Sequence, residues 1–318
     1  MGPAPPHFRG MWRIGIDLGG TKTEIVALDP GGAVRLRRRA PTPPDYAGVI
    51  GLIGRLVEAA EAELGVAATV GVGIPGSLSP TTGLVRGANS TWLNGGRLDA
   101  DLAARLGRPV RISNDANCLG VSEAADGAGA GHATVFAVIL GTGVGAGIVT
   151  GGRILEGRNR IAGEWGHNPL PWMTAEEHPG RRCWCGRQGC IETFLCGPAL
   201  AAEADGPGAR DAAGLPARAA AGEARAAAAL ERHADRLARA LAHVINILDP
   251  DCIVLAGGLS NMDHLYDRVP ALWRGFVFSD GVSTPLLRAR HGDSSGVLGA
   301  ARLWDAPLGD APVEDAWA

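Results

Sequence analysis

One short stretch of this chain carries the donor set of a metal site. Between Gly163 and Glu192 it reads GEWGHNPLPWMTAEEHPGRRCWCGRQGCIE, with His167 near its start and Cys183, Cys185 and Cys190 near its end. Three thiolates and one imidazole complete a tetrahedral Zn²⁺ shell and leave no open position, so an ion held this way is structural. The order His-x15-Cys-x-Cys-x4-Cys is not a common finger spacing. Gly186 and Gly189 nonetheless stand where a metal knuckle needs tight turns. The competing account is a set of buried reduced cysteines beside a core histidine, and the density of soft donors favours zinc over it. Two carboxylates, Glu164 and Glu192, are interleaved with these ligands, and His178 lies in the insert as an alternative imidazole.

A second group of residues suits phosphate and hydroxyl chemistry. The turn Asp17-Leu18-Gly19-Gly20-Thr21-Lys22 offers glycine N–H groups that an anion can approach, a hydroxyl at Thr21, and a carboxylate at Asp17 able to hold a hydrated Mg²⁺. It is neither a Walker loop, since the lysine is misplaced, nor a dinucleotide fingerprint, since no helix follows. Taken alone, such a turn is more often just a plain hairpin. Gly141-Thr142-Gly143 repeats the design between two apolar runs, and Ala256-Gly257-Gly258 follows a third. Two strand–glycine turn–strand units suggest two related halves whose phosphate loops face each other across a cleft. Asp115, in Asn114-Asp115-Ala116-Asn117, stands at a strand-to-helix junction, where open α/β sheets bind ligands. Such a carboxylate serves either as a general base toward a hydroxyl or, by default, as a helix cap. Asn89, Ser90 and Asn94 lie in a polar loop suited to line a cleft, although all three are also ordinary turn residues.

The elements that position these groups follow from periodicity. Apolar strands flank the first glycine turn from Trp12 onward, and Arg35, Arg37, Arg38 and Arg39 mark a charge-protected edge strand. Val49, Ile53, Leu56, Val57, Ala60 and Leu64 form a helical stripe, and residues 69–74 a buried strand ending at Pro75-Gly76. A short helix over 99–106, a strand over 110–113 and a helix over 118–125 come next. Residues 133–150 form the second hairpin. Residues 199–229, rich in Ala, Gly and Pro, predict short helices joined by turns; Leu230, Leu237, Leu241, Val244, Ile245 and Leu248 then predict a long amphipathic helix. A strand over 252–255 and an apolar helix over 294–304 complete the chain.

At 318 residues the chain is long enough for two domains. A net charge of −3 argues against a general nucleic-acid or membrane-surface role. Six cysteines, three of them in one knuckle, suit a reducing compartment, with Cys118, Cys196 and Cys252 as buried free thiols. No apolar window reaches the roughly 18 residues of a membrane span, and no signal pattern opens the chain, so a cytoplasmic protein is expected. Residues 1–11 read as a disordered extension and 311–318 as a frayed tail.

Assembled in order, DLGGTK at 17–22, GIPG at 73–76, NDAN at 114–117, GTGVGAG at 141–147, GEWGH at 163–167, CWCGRQGCIE at 183–192 and AGG at 256–258 resemble the ROK family of sugar kinases. The runs ANSTWLNG and GHNPLPWM look most like its bacterial fructokinase (manno-fructokinase) branch. The resemblance implies an α/β architecture of the actin-like, ribonuclease H-like ATPase fold, with two α/β domains around a central cleft. The expected domains are 12–125 plus 297–310, and 126–296. It implies Asp115 as catalytic base, with Asn114, Glu164, His167 and Glu192 on sugar hydroxyls, to which the loop reading adds Asn89. It further implies zinc on His167, Cys183, Cys185 and Cys190, and ATP with Mg²⁺ at Asp17 and the glycine loops 19–22, 141–143 and 256–258. The implied partners are a small hexose, foremost fructose, and a second copy in a homodimer. Glucokinase or N-acetylglucosamine kinase activity is the alternative. A sugar-responsive repressor is disfavoured, since only a few residues precede the first strand and Asp115 is present.

Overall fold

The computed structural model describes residues 10–305, so most of the expected N-terminal extension and the whole acidic tail lie outside the described residues. The first half runs β1 (Trp12–Leu18), β2 (Lys22–Leu28), β3 (Val34–Pro41), α1 (Tyr46–Leu64), β4 (Ala68–Ile74), β5 (Ser77–Leu78), β6 (Val85–Arg86), α2 (Leu98–Leu106), β7 (Val110–Asn114) and α3 (Asp115–Asp126). The second runs β8 (Thr134–Leu140), β9 (Val144–Thr150), β10 (Arg153–Ile154), α4 (Glu192–Leu195), α5 (Gly197–Asp205), α6 (Leu215–Ala220), α7 (Ala224–Leu248), β11 (Cys252–Ala256), α8 (His264–Trp273), β12 (Leu286–Arg288) and α9 (Ser295–Arg302).

Two five-stranded sheets share one topology. The first has the order β3-β2-β1-β4-β7 and the second β10-β9-β8-β11-β12. In each, the first three strands form an antiparallel meander and the last two run parallel to the strand beside them. The duplication expected from the two glycine-turn hairpins is therefore present in the strand order itself. All seven residues of β4 and all five of β11 are buried, as befits parallel strands covered on both faces. Only Leu36 is buried on the edge strand β3. Its Arg37 and Arg39 both pair with the buried Glu24 of β2, so the arginine run protects the edge and is also tied down.

The helices follow their stripes. α1 is capped by Asp45, which accepts from Gly48 N–H, and ends at Gly65 with φ +67°. α7 buries Leu230, Leu237, Leu241 and Ile245 and stops at Asp249, just before Pro250. It starts at Ala224, so the expected broken segment resolves into α5, α6 and the first turns of α7. Among the elements with no clear pattern to announce them are α8, which carries Pro270 inside it, and the three-residue β12. Among the described residues no helix is long and apolar enough to cross a membrane.

α9 returns to the first sheet, and glycines make the contact. Gly15 of β1 and Gly71 of β4 are paired neighbours, and a Cβ on either would lie 2.1 Å from the Val297 carbonyl oxygen or 2.0 Å from that of Ala300. Trp304 Nε1–H donates to the Val70 carbonyl at 2.7 Å. On its far side Gly299 meets the backbone of Cys118, so α9 and α3 lie back to back between the two sheets. α3 turns Leu119 onto Val135, Ala137, Val149 and Val254 of the second sheet. The buried Glu123 near its C-terminus accepts from the N–H groups of Ala128, Arg290 and His291 and from the Ser295 hydroxyl, clamping the segment that crosses back into α9.

Candidate active site

The site is assembled at the C-terminal end of β7 and around the turn of β9. Asn114 caps α3: its Oδ1 accepts from the N–H groups of Ala116 and Asn117 at 2.8 and 3.3 Å. The capping role foreseen for Asp115 thus falls to Asn114, whose side-chain NH₂ is the part left to meet a ligand. Asp115 is freed to present its carboxylate in the first turn of the helix, where one oxygen accepts from Ala116 N–H at 2.8 Å. Burial pushes its carboxyl up to about 6; the nearby carboxylates of Asp17 and Glu164 add to the rise, against the lowering effect of the Ala116 N–H. A carboxyl group with such a pKa is ionised near neutral pH and basic enough to accept a proton. Asp17, at the end of β1, is itself raised by burial and by the neighbouring Glu24, opposed by Lys22 and Arg39. Gly296 in the first turn of α9 packs beside the Asp17 carboxylate, where a Cβ would lie 3.5 Å from its nearest oxygen.

The GEWGH segment is laid directly on β9. A Cβ at Gly163 would be 2.1 Å from the Ala146 carbonyl oxygen, and one at Gly166 2.2 Å from that of Val144. Gly163 also adopts φ +91°, a conformation that only glycine takes readily. These two glycines let the single 3-10 turn Glu164–His167 press onto the strand, while Trp165 anchors it edge-on against Phe136. Glu164 and His167 therefore face the cleft on a backbone with little freedom.

Behind them lies the cysteine knuckle. The ligand atoms of His167, Cys183, Cys185 and Cys190 all lie within 4.8 Å of one another. Cys183 Sγ is 3.6 Å from His167 Nδ1, and the Cys185 and Cys190 sulfurs are 3.6 Å apart, too far for a disulfide. A zinc–sulfur bond of about 2.3 Å in a tetrahedron puts sulfurs about 3.8 Å apart, so the donors fit a four-coordinate ion in spacing and in type. Nδ1 faces the sulfurs, which leaves Nε2 of His167 for the cleft. His178 takes no part in this cluster; it lines a separate cavity beside Glu177 and Arg239. Cys118, Cys196 and Cys252 are free thiols, the first and last buried and Cys196 half-buried.

A cavity of about 1180 Å³ joins these pieces. Asn89, Asn114, Asp115, Thr142, Gly143, Glu164, His167 and Glu192 all line it. Every residue expected to hold sugar hydroxyls is therefore brought to one cleft. Glu192 is already engaged: Oε2 accepts from Val144 N–H at 2.9 Å and Oε1 from the Trp184 indole at 2.8 Å, which leaves further lone pairs for a ligand. Asp17, Gly19, Gly20, Thr21, Lys22, Gly141, Gly257 and Gly258 lie outside the lining of this cavity. Gly257, at φ +82°, packs on the backbone of Leu140, so the turns at 141–143 and 257–258 are neighbours. The turn at 19–22 is braced by Thr42, whose hydroxyl donates to the Gly19 carbonyl and whose N–H donates to that of Thr21. Asn94 is a structural brace, bonding both the N–H and the carbonyl of Ala88. Sequence reasoning passed over Trp184, Arg86 and His243, which also line the cleft. Of these only Trp184 carried a signal, its place between two metal-type ligands.

The profile of the ROK family matches residues 13–306. N-acetyl-D-glucosamine kinase of Salmonella typhimurium is 38% identical over 296 residues, covering 91% of this chain and 98% of that protein. Among solved structures, the ROK hexokinase of Thermus thermophilus is 31% identical with a TM-score of 0.82, covering 92% of this chain and 97% of that one. A ROK family glucokinase of Streptomyces griseus, solved in complex with glucose and AMPPNP, is 28% identical with a TM-score of 0.74 and covers 92% and 98%. The two duplicated sheets are those of the actin-like ATPase fold, and the chain belongs to the ROK family.

Proposed function

We propose that this chain is an ATP-dependent hexose kinase in which Asp115 is the general base. The observation that carries this is a carboxyl group at the head of α3, raised to about 6, in a cleft whose other polar residues suit hydroxyls. A sugar hydroxyl is a weak nucleophile. Asp115 accepts its proton as the oxygen attacks the γ-phosphorus and the bond to the β,γ-bridging oxygen of ATP breaks; base catalysis of this kind is worth about 10²–10⁴-fold. Asn89, Glu164, His167, Glu192 and the Asn114 amide hold the other hydroxyls and align the attacking one. The glycine N–H groups at 19–22, 141–143 and 257–258 receive the nucleotide, with Asp17 beside the phosphates. Asp17 would hold Mg²⁺, which would supply charge neutralisation on the phosphoryl oxygens. Zinc in the His167–Cys183–Cys185–Cys190 cluster fixes the loop and does no chemistry. Closure of the two halves about the α3–α9 layer excludes water as a competing acceptor.

Two acceptors have specific support. The runs ANSTWLNG and GHNPLPWM favour fructose, phosphorylated at its 6-hydroxyl. The relatives at 38% identity, named N-acetyl-D-glucosamine kinases, favour that amino sugar equally. Coupled-assay turnover on fructose, mannose, glucose and N-acetylglucosamine with saturating Mg-ATP separates them by kcat/KM. Turnover on none of the four refutes the kinase assignment.

A further inference from the structure

Trp184 sits between Cys183 and Cys185, yet its side chain remains 70% exposed and lines the central cleft. Leaving a large indole in water forgoes the burial that usually positions such a ring. Two contacts hold it instead. Its Nε1–H donates to Glu192 Oε1 at 2.8 Å, and its ring meets that of His167 edge-on, with centroids 4.9 Å apart and planes at 87°. Both partners belong to the proposed hydroxyl-binding set, and the residues on either side of Trp184, Cys183 and Cys185, are members of the metal-type cluster. An aromatic face with a polar edge, held rigidly in a polar cleft, is suited to a ligand that has both C–H faces and hydroxyls.

We propose that Trp184 positions the sugar in two ways: its ring is a platform for the apolar C–H face of the hexose, and its indole N–H orients Glu192 toward a hydroxyl. The inference rests on the hexose-kinase reading. It makes the residue between the first two cysteines a determinant of acceptor affinity rather than a spacer.

The test compares wild type with Trp184→Phe, which keeps a ring and loses the N–H, and Trp184→Ala, which loses both. Initial rates are measured on the best hexose, alongside bound zinc per chain. Trp184→Phe is expected to raise the sugar KM about fivefold, a modest value because the bond is solvent-accessible, and Trp184→Ala about thirtyfold. The KM for ATP should stay within about twofold and bound metal should be unchanged, whereas a purely structural role would move all three together. Saturating hexose should also change the tryptophan emission of wild type much more than that of Trp184→Phe. Sugar KM values within about twofold of wild type in both variants overturn the proposal, as does a joint loss of sugar affinity, ATP affinity and metal. If no hexose is phosphorylated, calorimetric hexose binding decides the point separately: weaker binding in Trp184→Ala with metal retained supports it, and equal binding or none to any variant overturns it.

Discussion

Replacing Asp115 by Asn should make the protein inactive and more stable at once. In the fold the Asp115 carboxyl is pushed up from 3.8 to about 6 by burial and by Asp17 and Glu164. A raised acid binds more protons folded than unfolded between those values. Its contribution to stability is therefore lost as pH rises through the folded pKa, and the full cost is present above about pH 6. A shift of about two pKa units, at about 1.4 kcal/mol each, costs about 3 kcal/mol at pH 8 and roughly half of that at pH 5. The Asn variant keeps the shape and an oxygen for the Ala116 N–H but carries no charge. At pH 8 its melting temperature should exceed that of wild type by about 5 °C, and the gap should narrow toward pH 5. Turnover should fall by about 10²–10⁴-fold with sugar binding retained, while wild-type kcat/KM should rise with pH through about 6 as the base loses its proton. Near-normal turnover, or an unchanged or pH-independent stability difference, would refute the assignment of Asp115 as a buried, strained base.

Three further outcomes follow from the site and its supports. Gly166→Ala puts a Cβ 2.2 Å from the Val144 carbonyl oxygen, so urea unfolding should show a loss of about 2–4 kcal/mol together with a raised sugar KM; wild-type values would show that the turn can lift off β9. On the proposal that the knuckle holds zinc and so clamps Glu164, His167 and Glu192 around the sugar, chelation should weaken hexose binding, followed by calorimetry, before it weakens nucleotide binding; equal losses would count against it. Glu177 anchors the insert to α7 through Arg236 and Arg239, and despite the desolvation that raises it, these arginines hold its carboxyl down at about 2. Glu177→Ala leaves Arg239, 2% exposed, without its main partner and should cost roughly 3 kcal/mol in chemical denaturation. Since the folded pKa is depressed, this contribution is present above the unfolded value of 4.5 and should fade in acid as pH drops toward 2.

Much of this was legible in the sequence, for physical reasons. Glycine-rich turns mark themselves, so those at 19–20, 141–143 and 257–258 and the GEWGH segment could be placed before any coordinate; of these glycines, Gly19, Gly163, Gly166 and Gly257 do admit backbone against backbone. The edge strand announced itself by its arginines, and α1 and α7 by their stripes. What escaped depended on contacts between distant parts of the chain. Asn114 and Asp115 are both good capping residues, and the first one caps because its own backbone is still extended, at φ −67° and ψ 151°, while Asp115 is already in the helix. Leu119 packs on the second sheet although the resemblance implied that α3 belongs to the first domain, because α9 occupies the space between α3 and the first sheet. Nothing local shows that the indole of Trp184 reaches Glu192, since that requires the knuckle to turn back over α4.

Glu192 explains why these parts work as one piece. One of its oxygens takes the N–H of Val144, at the end of the glycine turn between β8 and β9; the other takes the indole of Trp184, held between Cys183 and Cys185. The bare Gly143 makes room for the first bond, since a Cβ there would stand 2.8 Å from Oε2 and push the carboxylate aside. The glycine in that turn therefore has a second use besides approach to an anion: it lets a carboxylate dock on the turn. The metal-type knuckle and the turn proposed for nucleotide phosphates are thus joined by two hydrogen bonds to a single side chain, the carboxylate proposed to face the acceptor. A shift of either loop must break one of those bonds or carry the other loop with it, so the knuckle is a brace for the whole cleft floor and not only for its own four ligands.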